Sequence, residues 1–262
     1  MSEAVIEFQD ISIQYQNQEC PAAEHISFLV PRHSILVIVG ESGSGKSTLL
    51  RSVIRLLPDG GQITGGRILF DGIDLAAADV RQVRKLCGSR ISTIFQDAGL
   101  YLDSRRTIGY QYVEGIRCHK KVSRGEAKQM ARAMLEKLCL PSPEHIMASY
   151  PFELSGGMKQ RTAIAMAMTM APELLLADEP TSALDVTIQA QVVRQMKELR
   201  EQLGTSIILV THNMGLASYL ADHIAVMRKG KLMEWGTRDQ VIYQPRSSYT
   251  RTLLDAAPEL KL

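Results

Sequence analysis

The chain has 262 residues, 45% of them apolar and 22% charged, which suits one sizeable packed α/β domain or a domain with an inserted subdomain. A net charge of +2 gives no electrostatic case for nucleic acid, and the short basic runs Arg105-Arg106 and His119-Lys120-Lys121 read as solvated faces. Cys20, Cys87, Cys118 and Cys139 are widely spaced with no C-x-x-C, so they suggest neither a zinc site nor a disulfide framework and fit a reducing compartment.

The opening "MSEAVIEF" has no basic region followed by an apolar core. The longest apolar stretch, "AIAMAMTMA" (Ala163 to Ala171), is too short to span a bilayer, so a chain soluble by itself is expected. "VIEFQDISIQY" alternates apolar and polar residues as an antiparallel strand does, whereas "ILVIVG" (Ile35 to Gly40) is continuously apolar and reads as a buried strand. "SRGEAKQMARAMLEKLCL" opens with Ser123 and Glu126 at capping-box spacing and then sets Ala127, Met130, Ala131, Met134, Leu135 and Leu138 on one helical face. From Ala98 to Glu153 no buried-strand run occurs, which predicts a helical insertion. "LLLAD" (Leu174 to Asp178) and "SIILVT" (Ser206 to Thr211) repeat the buried-strand character, each with helix-like sequence after it. "HIAVMRKGKLMEWG" reads as a hairpin turning at Lys229-Gly230-Lys231.

Two stretches have the makings of an anion cradle. In "GESGSGKST", Gly40, Gly45, Lys46 and Ser47 satisfy G-x-x-x-x-G-K-[ST] between a buried strand and a helical run. The chemistry needs these types: glycines let backbone N–H groups approach phosphate oxygens, lysine neutralises their charge, and the serine hydroxyl can ligate Mg²⁺. Asp178, arriving at the end of a buried strand, is placed to orient the metal's shell, and Glu179 beside it to act as base for an attacking water. Hydrolysis is therefore expected, not binding alone. The second stretch, "LSGGMKQR" (Leu154 to Arg161), has two readings. Ser155 can be an ordinary helix N-cap behind a packing leucine, or the helix start can serve an anion held mostly by something else, since it lacks a lysine-hydroxyl pair.

The order "GESGSGKST", "IFQD", "LSGGMKQR", "LLLADEPTSALD", "ILVTHN" resembles the ATP-binding cassette of ABC transporters, over Val5 to about Gly236. The resemblance implies a P-loop α/β fold with a mostly parallel core sheet, an antiparallel β subdomain and an inserted α-helical subdomain. It gives a cassette domain at 1–244, the insertion at about 98–157, and a short tail at 245–262. It also implies that two cassettes, homologous or identical, pair head to tail and press each ATP between the Walker A loop of one and the signature of the other. Tyr15 would stack on adenine. Gly40, Glu41, Ser42, Gly43, Ser44, Gly45, Lys46, Ser47 and Thr48 would hold the phosphates. Ser47, Gln96 and Asp178 would complete the Mg²⁺ shell, with Glu179 as catalytic base and His212 as γ-phosphate sensor. Asp185 would make a contact across the dimer, and Ser155, Gly156, Gly157 and Met158 would serve the partner's ATP. Two transmembrane permease subunits and an extracytoplasmic solute-binding protein would complete an importer, with the cassette peripheral on the cytoplasmic face of the inner membrane.

The methionine after the signature glycines, "DVTIQAQVV" and "SYTRTLLDAAPEL" resemble the cassettes of peptide and nickel importers. The absence of a cysteine-bearing extension leans towards the shorter nickel or metallophore type. "QDAGLYLDSRR" departs from the family's usual D-P and S-L-N-P-like stretch, and loss of two fixed φ angles should make that loop more adaptable. "PRHS" (Pro31 to Ser34) lacks the common turn glycine. A DNA-repair or chromosome-organising cassette would need long heptad coils, but only 108 positions separate Ser47 from Ser155. A ribosome-acting cassette would usually carry two cassettes in one chain, and a small-molecule kinase has no use for the signature.

Overall fold

The computed structural model describes residues 3–16, 18–58, 60–181 and 186–256, the side chains at 98, 100 and 186–188 excepted. The strands are β1 (Ala4–Tyr15), β2 (Ala23–Pro31), β3 (Ile35–Val39), β4 (Gly61–Phe70), β5 (Ile73–Asp74), β6 (Ile91–Ile94), β7 (Leu174–Asp178), β8 (Ser206–Thr211), β9 (His223–Arg228) and β10 (Lys231–Thr237). The helices are α1 (Lys46–Val53), α2 (Val80–Leu86), α3 (Ile108–His119), α4 (Arg124–Lys137), α5 (Pro143–Ala148), α6 (Gly156–Met168), α7 (Val186–Leu203), α8 (Met214–Leu220), α9 (Arg238–Tyr243) and α10 (Ser248–Asp255). They form two compact units, Met1–Lys85 with Ser206–Leu262, and Leu86–Thr205.

In the first unit an antiparallel sheet runs β2-β1-β4-β5. Along β1 the buried side chains are Val5, Ile6 and Phe8, then Ile11 and Ile13, and after Ile6 the alternation passes from even to odd positions. Strict alternation would turn half the strand inside out. The register shifts between Phe8 and Ile11, with Asp10 at φ 54°, and this bulge returns Ile11 and Ile13 to the core face. The other layer is parallel, with β3 between β8 and β9, and β10 antiparallel to β9 at its edge. Covered on both faces, β3 and β8 bury every residue, which is why both read as unbroken apolar runs. In the turn at Pro31 to Ser34, His33 takes the left-handed conformation that a glycine would adopt more easily (φ 58°), and its N–H donates to Ser206 Oγ at 2.8 Å. The last helix, α10, lies in the stretch expected to be a short tail.

In the second unit β6 and β7 pair in parallel, and helices occupy most of the chain between them. Helix α4 begins with the expected capping box: Ser123 Oγ accepts from Glu126 N–H, and the Glu126 carboxylate accepts from Ser123 N–H, which lowers its pKa. Ala127, Ala131, Met134, Leu135 and Leu138 are buried as the helical spacing predicts, and Met130 is half-buried. Tyr112 of α3 is 1% exposed and shares a 2.6 Å hydrogen bond with Thr169, which follows α6. Among the described residues no helix is long and apolar enough to cross a membrane.

Candidate functional site

The first cradle is built from the backbone outwards. Gly40 follows β3, whose neighbour β9 runs beside it with Val39 opposite Val226. A Cβ at Gly40 would lie 2.1 Å from the Met227 carbonyl oxygen, and one at Gly45 would lie 2.0 Å from that of Ala22. Both glycines also hold positive φ, 152° and 95°. Any side chain at either position would force the loop off its walls, so the motif's spacing is a steric requirement of this fold. Gly45 is the N-cap of α1 and supplies no side-chain cap, so the helix start faces the loop with backbone N–H groups. Lys46, 5% exposed, donates from Nζ to the carbonyls of Gly40 (2.8 Å) and Glu41 (2.7 Å) and to Ser44 Oγ (3.3 Å). Glu41, Ser42 and Gly43 at the loop's crest are exposed, whereas Ser47 and Thr48 are half-buried.

Two further residues of the first unit adjoin this loop. Tyr15, at the end of β1, brings its hydroxyl 3.2 Å from Thr48 Oγ1, and its ring lies where a Cβ on Gly61 would come within 2.7 Å of Cε1. His212 follows β8, and the pairing of Val39 with Thr211 makes Gly40 and His212 the next residues beyond two adjacent parallel strand ends. That carboxyl edge is where open α/β sheets bind ligands.

The second unit repeats the device. Ile94 of β6 pairs with Ala177 of β7, so Phe95-Gln96 and Asp178-Glu179 leave the same edge. Asp178 is 1% exposed, whereas Gln96 is exposed. Glu179 is held at φ 44°, a left-handed conformation that a non-glycine residue adopts only when its surroundings impose it. After Gln96 the chain turns at Asp97 (φ 54°) into a 3-10 turn, Ala98–Tyr101. Tyr101 is 61% exposed and stacks on Phe95 with ring centroids 4.7 Å apart.

The second cradle opens α6. Ser155 Oγ accepts from Met158 N–H at 3.3 Å, and Leu154 is buried behind it, so the N-cap reading holds for this chain's own structure. Capping does not account for the glycine that follows. A Cβ on Gly156 would meet no atom within 4 Å. Ser155 and Gly156 are exposed, with Gly157 and Met158 half-buried. From the same helix the buried Gln160 Nε2 donates to the Pro180 carbonyl at 2.6 Å, tying the signature helix to the loop that carries Glu179. Gln160 was not among the expected site residues; its signal is a long polar side chain on the buried face of α6, which it shares with Thr162, Ile164, Ala165 and Met168.

The first unit thus gathers Tyr15, Gly40 to Thr48 and His212; the second gathers Gln96, Asp178 and Glu179, and Ser155 to Met158. Asp185 lies outside the described residues.

A family model described as "ABC transporter" matches residues 23–182. The chain is similar to the oligopeptide transport ATP-binding protein OppD of Bacillus subtilis, 41% identical over 98% of this chain and 73% of that one. It is 40% identical to the probable D,D-dipeptide transport ATP-binding protein DdpD of Escherichia coli, over 99% of this chain and 80% of that one. It is also 40% identical to the glutathione import ATP-binding protein GsiA of Escherichia coli, over 97% of this chain but only 42% of the relative. Among solved structures, the dimeric ATP-binding cassette MJ0796 bound to ADP and Pi in a post-hydrolysis state superposes with a TM-score of 0.80 at 25% identity, covering 89% of this chain and 98% of that one.

Proposed function

The chain belongs to the ABC transporter family, and we propose from that premise that it is the ATP-hydrolysing subunit of an importer of peptides, working with separate permease subunits and an external solute-binding protein. The observation that carries the substrate class is similarity, over at least 98% of this chain and 73–78% of the relatives, to subunits named for oligopeptide and dipeptide transport. These relatives favour peptides over nickel as the transported substrate.

The residues fit MgATP. The loop after β3 is walled by the Met227 and Ala22 carbonyls so closely that only backbone can face a phosphate chain. The ammonium of Lys46 already sits among oxygen acceptors, and incoming phosphate oxygens would take over part of that set. Ser47, Gln96 and Asp178 offer oxygen donors of the kind that Mg²⁺ prefers. Bound Mg²⁺ would neutralise charge on the β- and γ-phosphates. Glu179 would accept a proton from the attacking water, with its carboxylate aimed by the backbone conformation at φ 44°. His212 would donate to the γ-phosphate from the end of β8, and Tyr15 would offer its ring to adenine.

The signature would act on the ATP of a second cassette. Gly156 supports this, because its small size meets no need of its own chain, and a body approaching the helix start from outside would use the open space. In this reading Asp185 makes the contact across the pair, and the assembly sits peripherally on the cytoplasmic face of the inner membrane. The test is to co-produce the chain with permease and solute-binding-protein subunits of a peptide importer and measure ATP turnover in vesicles. Peptides should stimulate hydrolysis; stimulation by nickel chelates and not by peptides would overturn the substrate assignment.

A further inference from the structure

Tyr15 and Gly61 are partners across the antiparallel pair of β1 and β4, the last residue of one strand opposite the first of the other. Unlike Gly40 and Gly45, Gly61 lies outside the left-handed region, so its backbone conformation does not call for a glycine. Space does. A Cβ there would come within 2.7 Å of the Tyr15 ring at Cε1, 3.0 Å of Leu57 Cβ and 3.1 Å of the Pro58 carbonyl oxygen. A glycine in a strand gives up packing and chain entropy, and close approach by another group is a physical reason to keep one.

The three neighbours differ in how they can yield. Gly61 N–H donates to the Pro58 carbonyl at 3.0 Å where the chain enters β4, and Gln18 N–H donates to the Tyr15 carbonyl at 3.1 Å where it leaves β1. Those bonds hold the backbone on both strands. The tyrosine ring, which turns about its own χ angles, is the neighbour that would give way to a side chain at position 61. Its far end has a second support, because the hydroxyl lies 3.2 Å from Thr48 Oγ1 on α1, the helix whose start faces the phosphate loop. The half-buried ring thus reaches from the strand pair to that helix.

We infer that Gly61 is a positioning residue for the base of the nucleotide: the space left by its absent side chain seats the Tyr15 ring where the hydroxyl meets Thr48, which fixes the ring's place relative to the phosphate loop. The inference rests on Tyr15 offering its ring to adenine. A methyl group at position 61 displaces the ring from its seat and from Thr48, and leaves the cradle from Gly40 to Ser47 as it was.

The experiment compares the full chain with its Gly61→Ala, Tyr15→Ala and doubly substituted variants. For each, it measures MgADP binding by calorimetry, steady-state ATP hydrolysis, inhibition of that hydrolysis by magnesium tripolyphosphate, and an unfolding temperature. Gly61→Ala should raise the MgADP Kd by about tenfold, the scale of a weakened base–aromatic stack. Tripolyphosphate has no base, so its inhibition constant should stay within about twofold. The effect on ATP should fall on KM and leave kcat within about twofold. In the Tyr15→Ala background the same substitution should change the MgADP Kd by less than about twofold, because no ring remains to be displaced. An unchanged Kd in Gly61→Ala, equal losses for MgADP and tripolyphosphate, a rise of the same size without the ring, or a Gly61→Ala chain unfolded at the assay temperature would each overturn the inference and leave the glycine a requirement of the turn at Leu57 and Pro58. Tyr15→Ala separates the premise: if that variant binds MgADP as the parent does, the reading of Tyr15 as the adenine platform is itself wrong.

Discussion

Gln160 Nε2 donates a 2.6 Å hydrogen bond to the carbonyl oxygen of Pro180, joining the helix that opens with the signature glycines to the residue after Glu179. Gln160 is 4% exposed and Pro180 is buried. Gln160→Leu would leave that carbonyl unpaired, at about 1–3 kcal/mol. The variant should unfold at lower denaturant than the parent and hydrolyse ATP more slowly at saturation, with nucleotide affinity within about threefold, because the phosphate loop is not touched. Equal hydrolysis at saturation would show that the bond supports only the fold.

Glu179 and Lys46 are expected to fail in different ways. Glu179→Gln should keep ATP binding and slow single-turnover hydrolysis by about 10²–10⁴, the scale of a lost general base. Lys46→Ala should weaken binding itself, because its ammonium neutralises charge before and during the reaction. The two variants can be compared by nucleotide titration followed by rapid mixing with limiting ATP. Parallel losses of binding would contradict separate roles.

Pairing in trans can be tested by mixing, in a Glu179→Gln background that keeps an ATP-closed pair intact and after self-pairing has been established by sedimentation. A Lys46→Ala chain keeps its signature, and a Ser155→Arg chain keeps its phosphate loop. Neither alone builds a complete site. The mixture should recover ATP-dependent dimers, weaker than the background because one interface half lacks nucleotide. Normal dimerisation by Ser155→Arg alone would reduce the serine to the helix cap seen in this chain.

Tyr101 offers a test of permease docking. It is 61% exposed, so a charge there should alter stability by no more than about 0.5 kcal/mol. Tyr101→Asp should stay folded and bind ATP, yet fail to co-purify with the permeases if the 3-10 turn is part of their socket. An unfolded variant would mean that the ring's stacking on Phe95 serves the chain's own packing. Leu100, its expected companion, has a side chain outside the description.

The elements that the sequence announced best are those whose burial is complete. β3, β7 and β8 bury every residue, so no polar position interrupts the run. The capping box of α4 is equally plain because all its partners lie within four residues. β4 is harder to see: "GQITGGRILF" carries three glycines and buries only Ile68 and Phe70, so its strand character comes from pairing with β1, some fifty residues away. The contact of α10 with β9, where the Arg228 guanidinium lies 4.6 Å from the centroid of the Tyr249 ring, is likewise a meeting of distant segments that no local period encodes. In the site, residue types revealed the phosphate loop, but the reason for its glycines lies in two carbonyls, of Met227 and Ala22, which carry no side-chain signature.

The four cysteines, without disulfides, give the chain ready-made attachment points. Cys20 is exposed in the first unit, and Cys118 and Cys139 are exposed in the second, with Cys87 only half-buried. After replacing Cys87 and one of Cys118 or Cys139, a thiol-reactive donor and acceptor dye would report the separation of the two units from native positions. No new cysteine would need to be introduced. Cys20 belongs to the unit that carries the phosphate loop and the retained second cysteine to the unit that carries the signature, so their separation, read while nucleotide is added and consumed, would record any movement of one unit against the other.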